Sequence, residues 1–506
     1  MTLRVGRPRA ATGRALILAA AAVSLGALIA WLPPHISLAA LAGVLAVGAA
    51  VWEPALGLGL AVILGPTRAY LAASGFSGPV FDLGQIFFAL ALAGWLARGA
   101  LRRELRVPAL GLLVPLAAWI FVGLLSLFGA AEWRDGLNEA IKWIEVALVL
   151  IIAQAEARRG RLTWLLGAIL FSGGLQAALG VWQYRFRGTG PESFQLPGGF
   201  YRAYGTFEQP NPLGGFLGLI WPVAAGLAWG LFEQAWRRWR TTGFHWTRLR
   251  EAGPALALAL WAGGLGLGLF VSYSRGGWLG AAAAAGVLAV GAPRRLRVGL
   301  GLALAGLALV GLLTAANLLP ASLTARLANV TDFATVTDVR GLNINDANFA
   351  LVERLAHWQA ALAMAEARPW LGVGLGNYAA AYADYRLLNW PYSLGHAHNI
   401  YLHTLAETGG VGLAAYGTLW LAVVILTLRA VQTTSGPRRG LAVGLLGVWA
   451  HLLTHQIVDN LHVNNVDLLL ATYLGILYAL NSSREPVFGQ APDSRAPAAG
   501  GAQALH

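Results

Sequence analysis

The sequence contains no cysteine, which excludes disulfide bonds and thiolate metal sites. Charged residues are also few: Asp, Glu, Lys and Arg make up 12% of the chain, whereas soluble domains carry about 25%. Lysine is nearly absent, and Lys142 is its single representative. So little charge in 506 residues argues against a soluble enzyme.

Apolar residues dominate instead and make up 57% of the chain. They recur in runs of roughly 17–25 residues, the length that crosses a bilayer as a helix. We therefore predict an all-α polytopic membrane protein with about 12–14 transmembrane helices. The predicted spans are roughly 15–32, 36–52, 55–73, 81–97, 109–129, 140–155, 163–184, 212–232, 254–273, 277–291, 298–318, 399–428, 440–457 and 466–481.

The net charge of +13 has two interpretations. It could indicate a nucleic-acid partner, but basic residues of membrane proteins collect in cytoplasmic loops, and we expect no nucleic acid to bind. If the N-terminus is cytoplasmic, every strongly basic short loop falls on that same side. These loops are 98–106, 158–161, 237–250, 294–297 and 429–439. The first apolar run lacks a convincing cleavage site, so we interpret it as a retained helix.

This alternation of sides divides the chain into five parts: a cytoplasmic N-terminus (1–14), a transmembrane bundle (15–318), a large outer loop (319–398), C-terminal transmembrane helices (399–481) and a disordered cytoplasmic tail (482–506). The outer loop is too long for a passive connection. Within it, the spacing of apolar residues from Leu351 to Ala367 predicts an amphipathic helix on the membrane surface. Pro369 ends that helix, and a glycine-rich turn follows at 372–376. This turn opens no βαβ unit, so it is not a dinucleotide site.

Three arginines fall in outer segments near membrane boundaries. Arg202 and Asn211 flank a Gly/Pro-bounded entry into a span, Arg275 lies in a very short outer hairpin, and Arg354 lies on the predicted surface helix. Each could simply snorkel to lipid head groups. The functional alternative is an anion clamp, because guanidinium groups bind phosphate bidentately and keep their charge.

A histidine cluster at 396–403 begins the next apolar run. If the helix starts at about Asn399, His398 lies at its positive end, where the imidazolium is disfavoured. A neutral imidazole suits a general base, although a histidine that caps the helix is an equally plain interpretation. His396, His398 and His403 could also bind a metal, but their spacing is poor for one helix face and no carboxylate completes the set, so we expect no metal and no cofactor.

A second group of ionisable residues occupies the penultimate span. His451, His455 and Asp459 are spaced four residues apart and would share one helix face. Ionisable residues in membrane helices are functional candidates, although near the outer end His455 and Asp459 could be merely solvated or paired. Glu407 lies one turn after His403, where a side-chain pair is expected.

Taken in order, these motifs resemble the O-antigen ligase and O-antigen polymerase superfamily over about residues 200 to 480. One motif is His398-Asn399 followed, after nine residues, by Gly409-x-x-Gly412. The others are Ser274-Arg275-Gly276-Gly277, Arg354 with Trp358, the run Pro369-Trp370-Leu371-Gly372-Val373-Gly374-Leu375-Gly376-Asn377, and Gly205-Thr206-Phe207 leading to Asn211.

The resemblance implies a multi-pass inner-membrane glycosyltransferase of the GT-C type with a large periplasmic loop and cytoplasmic termini. Such ligases move a glycan from undecaprenyl diphosphate to lipid A–core or another hydroxyl acceptor, without metal or cofactor. It implies that His398 is the catalytic residue and that Arg275, Arg354 and, as a third, Arg202 bind the diphosphate. Supporting roles fall to Asn399, Gly409, Gly412, Asn211 and His455.

The motifs leave three alternatives open. A polymerase would use a second lipid-linked repeat as the acceptor, and a protein O-oligosaccharyltransferase would use a protein hydroxyl. A transporter of lipid-linked glycans would carry out no chemistry, but its site is expected near the membrane midplane. The histidines and arginines instead belong to outer segments.

Overall fold

The computed structural model describes residues 34–76, 78, 82–104, 111–196, 198–243, 246–318, 338–345 and 348–482. The predicted span 15–32, the N-terminus 1–14, residues 319–337 of the outer loop and nearly all of the predicted tail lie outside this part. The helices are α1 (Pro34–Trp52), α2 (Pro54–Leu64), α3 (Arg68–Ala73), α4 (Leu83–Arg102), α5 (Leu113–Ser126), α6 (Trp133–Glu156), α7 (Leu162–Arg185), α8 (Pro210–Gly218), α9 (Trp221–Thr242), α10 (Gly253–Val271), α11 (Arg275–Gly291), α12 (Leu296–Ala315), α13 (Phe349–Ala367), α14 (Tyr378–Tyr385), α15 (Ile400–Thr433), α16 (Gly436–His455) and α17 (Val466–Ser482).

An all-α polytopic membrane protein is confirmed. The described residues form helices and no strand apart from one isolated bridge, and seven helical stretches among them are long and apolar enough to cross a membrane. One stretch, Trp133–Arg185, turns at Gly160 (φ 84°) and comprises α6 and α7, of 24 residues each. Three shorter apolar helices accompany the seven. The total of about 12–14 spans stays a prediction.

The predicted span 212–232 lies within Pro210–Thr242, a stretch that is long and apolar enough to cross a membrane, but this stretch is not one continuous helix. The chain forms α8, turns at Leu219 and Ile220, and starts again as α9. Pro222, in the first turn of α9, explains the break, because proline has no N–H to continue the helical ladder and its ring clashes with the carbonyl four residues earlier.

Helix α16 is the centre of the C-terminal half and packs against α9 and α11. Glycines permit the close approach: a Cβ added at Gly440 would lie 2.2 Å from the carbonyl oxygen of Gly226, and one at Gly230 would lie 2.7 Å from that of Gly436. Small residues four apart on facing helices are typical of helix pairs in membranes, where close backbone contact supplies the packing energy.

The basic loops predicted on the cytoplasmic side contact each other or their neighbouring helices. Glu53, between α1 and α2, pairs with Arg161 (3.0 Å) and Arg98 (3.7 Å). Glu233 on α9 pairs with Arg294 (3.1 Å). The loops 98–106 and 158–161 therefore meet at Glu53, and the assignment of the basic loops to the cytoplasm stays a prediction.

The outer-loop helix predicted at Leu351–Ala367 is present as α13, but its predicted place on the lipid surface is wrong. Leu355 and Met364 on its apolar face are buried by the protein itself, in two small clusters with α14, the start of α15 and the segment around Trp390. The apolar face of α13 thus packs against other segments of the protein and fixes this helix beside the start of α15.

Candidate active site

The start of α15 fixes the position of His398. Asn399 is the N-cap, and its side-chain oxygen accepts hydrogen bonds from the backbone N–H groups of Tyr401 and Leu402, both at 3.0 Å. His398 immediately before it has φ 53°, a left-handed conformation that costs a non-glycine residue on the order of 1 kcal/mol. The backbone reverses there and holds the imidazole at the helix entrance. The helix start predicted at about Asn399 is confirmed.

Asp459 is the carboxylate that faces this histidine, with Oδ1 at 3.6 Å from Nδ1 of His398. The two segments are joined by a backbone hydrogen bond from Ile400 N–H to the Gln456 carbonyl (3.0 Å). Helix α16 ends at His455, so the predicted helix face shared by His451, His455 and Asp459 is wrong. The turn after the helix end directs Asp459 toward His398 instead.

The charge of Asp459 is stabilised by its neighbours. Burial alone would raise the pKa of this carboxyl group, but the nearby His398 and the cationic Arg354 hold the pKa well below its usual range. The group is therefore an ionised carboxylate at any pH at which the protein works, and it can orient an imidazole and stabilise its protonated form.

His396 is the second ring at this place. Its Nδ1 accepts the backbone N–H of His398 (3.1 Å), and the two ring centroids are 4.3 Å apart. Burial lowers the pKa of His396 to about 3, so its ring is neutral. Because the ring is neutral and its Nδ1 accepts a hydrogen bond, its one N–H proton lies on Nε2.

These groups also bear on the metal alternative. Potential ligand atoms of His396, His398 and Asp459 all lie within 4.8 Å of one another, so a carboxylate does approach the histidines, contrary to the sequence-based expectation. His403 is elsewhere, with Nε2 at 3.5 Å from Oε1 of Glu407. Because Nδ1 of His396 accepts the backbone N–H of His398, a metal at this nitrogen would have to displace that hydrogen bond, which disfavours the metal alternative.

Arg354 lies on α13 near the histidines. Its charge contributes to the lowered pKa values of both Asp459 and His396, which places the guanidinium group within electrostatic reach of them. One turn later, the ring of His357 lies 5.8 Å from that of His398. Burial lowers the pKa of His357 to about 4, and its Nδ1 lies 3.0 Å from the hydroxyl group of buried Tyr378, so His357 is a neutral packing residue.

Arg275 is the first residue of α11, where the side chain of Ser274 caps the helix by accepting the N–H of Gly277 (3.1 Å). The next residue, Gly276, packs on the ring of His455: a Cβ there would lie 2.5 Å from Cδ2. His455, an expected supporting residue, is fully buried with Nδ1 at 3.4 Å from Nε2 of His451. His451 and His455 thus fix the N-terminal end of α11, which begins with Arg275.

Arg202 lies between the start of α8 and the hairpin before Arg275. Its guanidinium group donates to the Asn211 side chain (3.1 Å) and to the carbonyls of Ser272 (3.1 Å) and Tyr273 (3.3 Å). It therefore joins the start of α8 to the hairpin that precedes Arg275. The structure brings together Arg202 and Asn211, which the sequence presented as neighbouring candidates.

The glycine-rich turn after α13 docks into a break in α15. Gly409 has φ 64° and ψ −168°, outside the helical region. At this break Gly410 donates to the Pro369 carbonyl (2.8 Å), and Gly374 donates to the Glu407 carbonyl (2.8 Å). The Glu407 carboxylate also accepts the N–H groups of Gly376 (2.8 Å) and Tyr378 (2.9 Å). Glu407 is thus an anchor for this turn as well as a partner of His403.

Gly409 is expected to tolerate no side chain. Its backbone conformation is one that glycine alone adopts freely, and a Cβ would lie 2.2 Å from the Trp370 carbonyl carbon. Gly409→Ala should therefore reduce stability by roughly 3–5 kcal/mol, seen as a lower midpoint of thermal unfolding in detergent.

Gly417 on the same helix is the matched control, because it is helical and nothing lies within 4 Å of an added Cβ. Gly417→Ala should raise stability by about 0.5–1 kcal/mol. Equal midpoints for the two variants would contradict the docking of the glycine turn. Gly412 is the less direct test, since its Cβ would meet Oγ1 of Thr408, one turn earlier on the same helix, at 1.9 Å.

Comparison with known protein families agrees with this arrangement. The O-antigen ligase family model matches residues 256–417, the segment that holds Arg275, Arg354, His398 and Gly409. The resemblance to the O-antigen ligase superfamily is thereby confirmed for this segment. No curated protein matches the chain.

Proposed function

We propose, on the premise of the O-antigen ligase domain in residues 256–417, that this chain is a membrane glycosyltransferase that moves a glycan from undecaprenyl diphosphate to a hydroxyl acceptor such as lipid A–core. The proposal rests on one observation: His398 lies 3.6 Å from the carboxylate of Asp459, and Arg354 of α13 acts electrostatically on this carboxylate. Displacement at a sugar diphosphate is accelerated by a base, by a carboxylate that orients the base and by a permanent cation near the leaving group.

The arginines serve the leaving group. In the lipid-linked donor, the bond that breaks joins the anomeric carbon to a diphosphate oxygen. This oxygen gains negative charge as the diphosphate departs. Arg354 and Arg275 stabilise that charge by bidentate hydrogen bonds. Arg202 contributes mainly by holding the hairpin before Arg275, since its donors already bind Asn211 and two carbonyls.

The histidine serves the acceptor. His398 takes the proton from the acceptor hydroxyl as its oxygen attacks the anomeric carbon from the face opposite the diphosphate. Asp459 holds the ring and stabilises the imidazolium that forms. A single displacement of this kind inverts the configuration at the anomeric carbon, and the proton leaves later to the outer aqueous phase, where we place the site.

Metal removal tests the chemistry of the histidine cluster. Because the Nδ1 of His396 accepts a backbone hydrogen bond, which a metal would have to displace, transfer by purified protein should be unchanged within about twofold in excess EDTA. Loss of transfer in EDTA, with recovery on addition of Mg²⁺ or Mn²⁺, would replace the base mechanism by a metal mechanism.

The acceptor is tested in cells. In a deletion strain, long glycan chains should accumulate on the polyprenyl carrier, because their transfer to the final acceptor is blocked. Accumulation of single repeats would identify a polymerase, and underglycosylated secreted proteins would identify a protein O-oligosaccharyltransferase. Restoration by plasmid-borne wild-type chain, and not by His398→Ala, is the control that ties the phenotype to this site.

A further inference from the structure

A large polar cavity opens on the side of the molecule formed by α4, α6 and α17. Its volume is about 880 Å³, within the range of small-molecule sites. The lining includes Asp82, Gln85, Asn138, Glu145, Asn465 and Lys142. We call it the polar cavity. The proposed chemistry of the histidine site uses none of these residues.

The wall of the polar cavity is held in place by hydrogen bonds between helices. Gln85 at the start of α4 donates to Glu145 on α6 (3.0 Å) and to Asn465 before α17 (3.1 Å). Asn465 in turn donates to Asp82 (2.7 Å). A carboxylate offers about four acceptor sites, so Glu145 and Asp82 retain capacity for further donors. Such a wall of fixed amides and carboxylates can bind hydroxyl groups without rearranging.

The polar cavity adjoins the candidate active site. A second cavity of about 220 Å³ is lined by His396, His403 and Glu407, and the two cavities share Lys142, His462 and Val463 in their linings. Trp119 and Trp143, whose ring centroids are 5.5 Å apart, also line the smaller cavity. The polar cavity thus lies next to a smaller cavity that His396, the ring beside His398, helps to line.

The charge of the polar cavity separates it from the arginine site. Its lining contains the carboxylates of Asp82, Glu145 and Asp467 against the cations of Arg68 and Lys142, in a chain whose net charge is +13. Lys142 is paired with Glu139, and Arg68 with Asp82 (3.4 Å). Asp467 lies 2.6 Å from His462, another residue of the lining. A lining in which carboxylates balance the cations disfavours a diphosphate and favours hydroxyl groups.

We propose that the polar cavity is a glycan-binding subsite, in which the amides and carboxylates hold sugar hydroxyls beside the smaller cavity that Trp119, Trp143 and His396 line. The proposal rests on the proposed function and extends it: the diphosphate is held on the α11 and α13 side, and a glycan approaches from the α4, α6 and α17 side. The glycan can belong to the acceptor or to the donor, and kinetics distinguish the two.

Two variants remove this subsite in different ways. Glu145→Ala deletes an acceptor from the wall, and Asn138→Trp, at an exposed position of the lining, places an indole in the cavity. Ile144→Trp is the matched control, because Ile144 is exposed on the same helix and lies outside both linings. Each cavity variant should raise the KM for one glycan substrate roughly tenfold with kcat nearly kept.

Transfer is measured with purified protein, varying donor and acceptor separately. A raised KM for the acceptor assigns the subsite to the acceptor glycan, and a raised KM for the donor assigns it to the donor glycan; both support the proposal. Wild-type KM values in both cavity variants would overturn it. Ile144→Trp should behave as wild type, and an equal loss in this control would also overturn the assignment.

Direct binding separates this inference from the proposed function. The probe is the set of oligosaccharides released by mild acid from the host's own cell envelope, added to detergent-purified protein in a thermal-shift titration. The oligosaccharides should stabilise wild type, and their apparent affinity should fall roughly tenfold in both cavity variants. This result supports the subsite even if no transfer is found. Equal stabilisation of all variants, or displacement of the oligosaccharide by inorganic pyrophosphate, would overturn it.

Discussion

His398→Ala should lower the rate of glycan transfer by about 10²–10⁴-fold, the usual worth of a positioned general base. The residue faces Asp459 on one side and His396 on the other, and its side chain is partly buried, 16% exposed, outside the apolar clusters of the described residues. The variant should therefore insert, purify and unfold as wild type does. The measurement is the initial rate of product formation at saturating donor.

The matched control is His403→Gln, which alters a histidine in the first turn of α15 whose Nε2 faces Glu407. This variant should lose stability more than chemistry, since Glu407 anchors the glycine-rich turn. A wild-type rate in His398→Ala would end the proposal that this residue is the base. Asp459→Asn adds a graded test: it keeps the shape but not the charge, and should lower kcat while leaving KM for the donor nearly unchanged.

Arg354→Ala should lower transfer by about 10²–10³-fold, as expected when one donor to a developing anionic charge is removed. Arg354→Lys should recover only part of this loss, because an ammonium group is a point charge and cannot form the bidentate contact. The same order of rates, arginine above lysine above alanine, is expected at Arg275. Initial rates at saturating donor measure both series.

Arg202 supplies the contrast for this series. Since its guanidinium group holds the hairpin and Asn211, Arg202→Lys should lower the unfolding midpoint together with the rate, whereas Arg354→Lys should lower the rate alone. A fully active lysine variant at position 354 would remove that residue from the diphosphate site. If the lysine variants at positions 202, 275 and 354 all lower the unfolding midpoint together with the rate, the three arginines have a structural role.

The sequence predicted those features that depend on short stretches of chain. Apolar runs gave the helices, and the cap residue Asn399 gave the start of α15 within one residue. The glycine-rich turn was recognised, but its function was not: its pairing with the break at Gly409 joins segments that are distant in sequence, and no local pattern reports such a contact.

The site residues show the same limit. Asp459 was assigned to a helix face with His455 because the four-residue spacing continued, and the helix ends before it. Its contact with His398 depends on the turn that follows. For α13, apolar spacing predicted the helix correctly, but spacing cannot distinguish a face covered by lipid from one covered by protein. The polar cavity was missed because its wall combines residues from α4, α6 and the segment before α17.

The most direct test of the proposed function is transfer by the purified protein in detergent micelles, where no membrane separates two compartments and transport cannot be scored. Undecaprenyl-diphosphate-linked glycan and lipid A–core are supplied, and the glycosylated acceptor and released undecaprenyl diphosphate are measured. We expect wild type to form both products in equal amounts, and His398→Ala to form neither at a comparable rate. A purified wild-type protein that is folded, binds the donor and forms no glycosylated acceptor from lipid A–core or a second lipid-linked repeat would contradict a glycosyltransferase and favour a transporter.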